Sequence, residues 1–198
     1  MRITMALLIA VAAWFGWSDW QQREIEHASG VLVDQAPVQR DLASANPIVH
    51  GKYTLTPRAE FTVRARVLAS ERYRVDALAG LIPYDLALGW GAMSDTAVLA
   101  GLHISQSGRF YFWRTRSGEL PAPVDVIAAS SSNMHLIAAN AGVARVIERA
   151  RVGHIIELEG QLVDVRAASG YSMKTSLSRT DTGGGACEII YVQRATTK

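Results

Sequence analysis

Between Glu60 and Leu68 the apolar residues Phe61, Val63, Ala65 and Val67 alternate with Thr62, Arg64 and Arg66. A repeat of two puts successive side chains on opposite faces of an extended chain, so this segment must be a strand with one face on a core. Arg64 and Arg66 share the other face, which reads as a solvated surface rather than an anion site. Tyr53 to Thr56 precedes it as a separate strand, or as the same strand broken at Pro57, where proline demands an edge or a bulge. Arg109 to Arg114, RFYFWR, is a second strand; Phe110 and Phe112 face one way and Tyr111 and Trp113 the other. Aromatics on both faces imply a central or covered strand, or one face left open for a partner. Met134 to Ala138 forms another strand, and Asn140 caps a helix with Val143, Val146, Ile147 and Ala150 on one side.

His154 to Arg166 follows, with Gly160 as a place for a bulge. Ser169-Gly170 turns the chain into Tyr171 to Leu177, and the glycine run 183–185 leads into a final strand, Ala186 to Gln193. Between the first strand and the aromatic one, Pro83 and Asp85 can start a short helix. Gly89 and Gly91 force a turn around Trp90, and Ser94 or Asp95 can cap a second helix through Leu99. Strands, one helix, then strands again predict a mainly β (α+β) domain. The expected form is a small OB-like or similar Greek-key barrel carrying short inserted helices.

The first twenty residues lie outside that pattern. Met5 to Trp17 carries no charged side chain, Arg2 precedes it, and Trp14, Trp17 and Trp20 crowd its far end. Eighteen residues of helix from Ile3 to Trp20 span roughly 27 Å, a thin but tolerable fit to a hydrocarbon core of about 30 Å. Ala10-Val11-Ala12 lies inside the run and bulky residues follow it, which favours a retained anchor over a cleaved signal peptide. Arg2 inside and Asp19 outside direct the rest of the chain across the membrane. The expected organisation is an anchor at 1–20, a spacer at 21–50 and one β-rich domain at 51–198, a size that supports a single core.

Twenty Lys and Arg against eighteen Asp and Glu leave a formal charge of +2, without the basic footprint of a nucleic-acid binder. The single cysteine, Cys187, forms no internal disulfide. The five histidines show no ligand spacing for a metal, and neither a metal nor a cofactor is expected. One catalytic constellation is conceivable: Cys187 as nucleophile, His135 as base, Asn133 or Asp181 as orienter, and N–H groups of the glycine run as oxyanion donors. Ser176 and Ser178 lie in no G-x-S-x-G elbow. Trp90 is either a ligand platform or a core plug. With Tyr111, Trp113, Arg109 and Arg179 it completes the binding candidates.

Several segments together resemble an uncharacterised family of single-pass bacterial inner-membrane proteins. They are Leu88-Gly89-Trp90-Gly91 with Met93-Ser94-Asp95, Ile104-Ser105-Gln106-Ser107 with Arg109 to Trp113, Ser132 to Ile137, Leu177-Ser178-Arg179, Asp181-Thr182-Gly183, and Gly185-Ala186-Cys187-Glu188. The resemblance covers nearly all of the chain past the spacer. It implies an inner-membrane protein facing the periplasm and brings no activity with it. The functional expectation is a membrane-anchored binding or scaffolding module for another envelope protein or a cell-wall component. The alternatives are a cysteine-dependent hydrolase or transferase using Cys187 and His135, and a barrel that binds single-stranded nucleic acid.

Overall fold

The computed structural model describes residues 23–178, 183 and 186–198. The chain is mainly β. In order come β1 (Val38–Asp41), β2 (Ile48–His50), β3 (Tyr53–Arg72), β4 (Tyr84–Gly89), a 3-10 turn (Gly91–Ser94), α1 (Thr96–Ala100), β5 (Leu102–Ser107) and β6 (Phe110–Thr115). Then follow α2 (Val124–Ala129), β7 (Ser131–Ala138), α3 (Ala141–Glu148), β8 (Ile155–Ala167), β9 (Ser172–Met173) and β10 (Glu188–Thr197). Pairings run β3–β4, β4–β7, β7–β10, β10–β8 and β8–β3, so the sheet closes on itself. All are antiparallel except β7–β10. α3 connects β7 to β8, its first turn capped by the Asn140 side chain, which accepts from Gly142 N and Val143 N.

Strand β3 does most of the enclosing. A straight strand of its length would reach roughly 65 Å, so it must coil, and register shifts at Pro57/Ala59 and Val67/Ala69 bend it around the sheet. Its alternation carries Phe61, Val63, Ala65 and Val67 inward, where they meet Leu86, Leu88, Met134, Leu136, Leu158 and Ile190. Gly160 of β8 lies where the wall is tightest: a Cβ there would stand 2.0 Å from the Tyr191 carbonyl oxygen. The expected bulge sits on the partner strand instead, between Val192 and Arg194 opposite Gly160 and Glu159. Only a bare backbone lets β10 approach at this point.

Four local expectations change. Pro83 and Asp85 start no helix: Tyr84–Gly89 is a strand, because pairing with both β3 and β7 satisfies its backbone on both edges. Arg66 is buried at 2% exposure, whereas Arg64 is exposed. Its guanidinium donates to Ser94 O and Thr96 Oγ1 and lies 3.7 Å from Glu24, so the inserted turn and the chain's early segment roof it over. Residues 23–50, expected as spacer, carry β1 and β2 and pack on the sheet. Ile25 N donates to Val152 O, Val33 is buried, and Ser94 Oγ accepts from Leu32 N and Val33 N. The expected strand Tyr171–Leu177 shrinks to the two residues of β9. Among the described residues no helix is long and apolar enough to cross a membrane, and the expected anchor at 1–20 lies outside them.

The insertion between β4 and β7 builds a second layer. Strands β5 and β6 form a hairpin whose inner residues Ile104, Tyr111 and Trp113 pack with Leu68, Ala87, Met93, Leu102 and Ile127. Phe110 and Phe112 on the other face are 44% and 51% exposed, so the aromatic strand is covered on one side and open on the other.

A cysteine, histidine and aspartate row as candidate active site

Strands β4 and β7 and the residue leading into β10 lie side by side, and each supplies one functional residue on the face away from the core of Leu86, Met134 and Ile190. Asp85 and His135 are direct cross-strand partners, a placement that brings side chains within contact. Ile189 pairs with His135 on the other side, and Cys187, two residues earlier, shares its face. The row Asp85, His135, Cys187 is thus a product of strand register. His135 Nδ1 stands 2.9 Å from Asp85 Oδ1, within ion-pairing distance but off the line of a well-aligned hydrogen bond. Cys187 stands close enough to the same ring to act on its proton, while its thiol donates to the Arg109 carbonyl oxygen at 4.0 Å.

Asp85 is fully buried, and His135 is 4% exposed. Burial opposes charge on the imidazole, but the pull of the adjacent Asp85 carboxylate, with a further contribution from Cys187, outweighs it and pushes the His135 pKa up to about 9. The imidazolium is therefore the resting form near neutral pH.

Arg109 closes the row from above. Its Nη1 lies 3.2 Å from Asp85 Oδ1, while Nη2 donates to both oxygens of Asp76 and to Ile82 O. The guanidinium stacks on the Tyr73 ring at 4.0 Å. Burial, followed by the charge of Asp85, raises the Tyr73 pKa. Arg109 occupies a demanding position, the second residue of the two-residue turn joining β5 and β6, with φ 68° after Gly108 at 58°. Such turns require left-handed backbone at both central positions, and a side chain there costs about 1–2 kcal/mol. The conformation aims the Arg109 carbonyl at Asn133 Nδ2, 3.0 Å away, as its side chain reaches Asp85. Strain of this kind collects at functional sites.

Asn133 lies two residues before His135 on the same face. Its Oδ1 accepts from Gln106 Nε2 at 2.7 Å, which fixes the amide orientation and leaves Nδ2 4.0 Å from Cys187 Sγ. Beside the row is a cleft of about 180 Å³, walled by Leu78, Phe110 and Met173, with Cys187, His135 and Lys174 on its lining.

The structure thus brings Cys187, His135, Asn133 and Arg109 together. The acid of the row is Asp85; Asp181 and Arg179 lie outside the described residues. Trp90 is not in the cleft: it is 4% exposed and donates from Nε1 to Ala129 O, a core plug. Tyr111 and Trp113 belong to the packed underside of the hairpin. Burial pushes the Tyr111 pKa up to about 12 while its hydroxyl donates to Ser131 Oγ. Among the described residues no group of His, Cys, Asp and Glu is placed to hold a metal ion. Asp85, Asp76, Tyr73 and Gln106 were not among the site residues expected from the sequence. The one usable signal was a carboxylate inside the apolar run Tyr84–Gly89.

No protein-family model matches this chain, nor does any curated protein or solved structure.

Proposed function

We propose that this chain is a cysteine-dependent acyl hydrolase or transferase built on an OB-type barrel, with Cys187 as nucleophile. The carrying observation is the pair of buried Asp85 and His135 with half-buried Cys187 beside it at the wall of a cleft. Charges so far from water are costly, and replacing such a cluster by apolar side chains often stabilises a protein, so its presence favours a functional role. In this reading Asp85 holds the ring, and His135 stores the proton given up by the thiol. The sulfur attacks an acyl carbonyl carbon, a C–S bond forms, and the leaving group departs with the proton from His135. Water then attacks the thioester, His135 takes its proton, and the thiol is restored as the acid leaves. Asn133 Nδ2, fixed by Gln106 and close to the sulfur, is positioned to stabilise the developing oxyanion.

Because Cys187 is the chain's single cysteine, alkylation by iodoacetamide reads this site alone. Native Cys187 at neutral pH should react about tenfold faster than the same thiol in the unfolded chain, and His135→Ala should remove that excess. A native rate no higher than the unfolded one would sink the assignment.

The barrel type rests on the order of the closed circuit. Numbered along the chain, its strands run 1-2-3-5-4-1, with the third and fifth parallel and a helix between the third and fourth. Nucleic-acid binding on the face of the second and third strands is disfavoured here, because the β5–β6 hairpin and the Asp85 row occupy it. A second reading, a binding module for another envelope protein or wall component, draws on the exposed Phe110 and Phe112.

For location, the proposal is a single-pass inner-membrane protein with the barrel in the periplasm, resting on the apolar leader and its flanking charges. Alkaline phosphatase fused after Lys198 should be active and a fluorescent protein fused there dark. The opposite pattern removes the periplasmic address.

A further inference from the structure

The residues around Cys187 divide by chemistry. Leu78, Phe110 and Met173 form an apolar wall, while the charged side chains on the lining, Arg109, Lys174 and the His135 imidazolium, are all cationic. Arg109 is engaged by Asp85 and Asp76, and His135 by Asp85, which leaves Lys174 as the unengaged charge. Among the described residues no carboxylate pairs with Lys174. A cleft of about 180 Å³ accommodates a short chain or one ring. Its lining, which also includes the Tyr171 ring, carries no carboxylate to draw a cation.

We propose that the cleft takes a small acyl group with an apolar body and a free carboxylate. The body lies on Leu78, Phe110 and Met173, the carboxylate at Lys174, and the acyl carbon at Cys187. The acylation step rests on the nucleophile reading above; the recognition of an apolar anion does not. Lys174 is exposed, so its contribution is a modest, salt-sensitive selectivity rather than a tight lock.

The test uses the full chain in two forms. Cys187→Ser, which cannot form the thioester, is titrated with 3-phenylpropanoate and with 3-phenylpropan-1-ol. The acid should bind about fivefold tighter than the alcohol at low salt, and Lys174→Met in the same background should equalise the two. The wild-type chain is given mono-4-nitrophenyl glutarate and neutral 4-nitrophenyl butyrate. The charged ester should turn over with the higher kcat/KM, again by about fivefold, and lose that advantage in Lys174→Met. Cleavage of both esters without charge preference, and equal binding of acid and alcohol, overturns the substrate class while leaving the nucleophile in place. Selective, Lys174-dependent binding with neither ester cleaved upholds the anion site and removes the nucleophile instead.

Discussion

Asp85→Ala should cost the protein about 3–5 kcal/mol of stability, measured as the shift in chemical denaturation of the full chain, the range expected when one member of a buried ion pair is removed. Asp85 is fully buried and serves two cations at once, Arg109 at 3.2 Å and His135 at 2.9 Å. Removing its carboxylate leaves Arg109 Nη1, on a side chain only 13% exposed, without its anion while Asp76 still holds Nη2, and withdraws one of the two partners that hold a proton on the ring. Asp85→Asn separates the two effects. The amide preserves the shape and one acceptor, so most of the lost stability should return, while the fast alkylation of Cys187 should not. A loss below about 1 kcal/mol for Asp85→Ala would mean that the carboxylate is hydrated rather than enclosed.

The second large effect is a loss of stability in mild alkali. The His135 pKa stands at about 9 in the folded protein against 6.5 for the free side chain, because the partnership with Asp85 and Cys187 exceeds the cost of burial. A raised pKa means that the folded state holds the proton more tightly than the unfolded one. The stabilisation is therefore complete below about pH 6.5 and disappears as pH rises through about 9. Its size is on the order of 3 kcal/mol. Denaturation midpoints should fall across that window in the wild type and stay nearly level in His135→Gln, and the difference between the two curves isolates this group from others that titrate in the same range. Cys187→Ser should retain a smaller fall, since Asp85 still holds the proton. Parallel curves for wild type and His135→Gln would show that the ring carries no such proton.

Local patterns in the chain were legible where a single element decides them. The alternation over Glu60–Leu68 predicted the inward row of β3, Pro57 predicted an edge or a bulge and a register shift follows it, and Asn140 and, of the pair Ser94 or Asp95, Asp95 cap the helices they precede. What failed were the features that depend on what lies opposite. Tyr84–Gly89 reads as a helix start after a proline, but two neighbouring strands claim its backbone. Arg66 sits at a polar position of an alternating strand, yet residues 91–96 and Glu24 cover it. The candidate site divides the same way. Cys187, His135 and Asn133 could be picked out by residue type, but Asp85 is 50 residues from His135 and meets it only through register.

Parallel pairing of β7 with β10 carries a consequence for biosynthesis. A ribosome has made β3, β4, β7 and β8 before it reaches Cys187, and β10 must then slot between two strands already present, a long-range step of the slow kind. Until that insertion, His135 and Asp85 have no sulfur beside them, and the thiol of a freshly made tail has no imidazole. Any enhanced reactivity of the sulfur would thus arise only with the finished fold, and a nascent polypeptide would carry no more than the ordinary thiol of an unfolded chain.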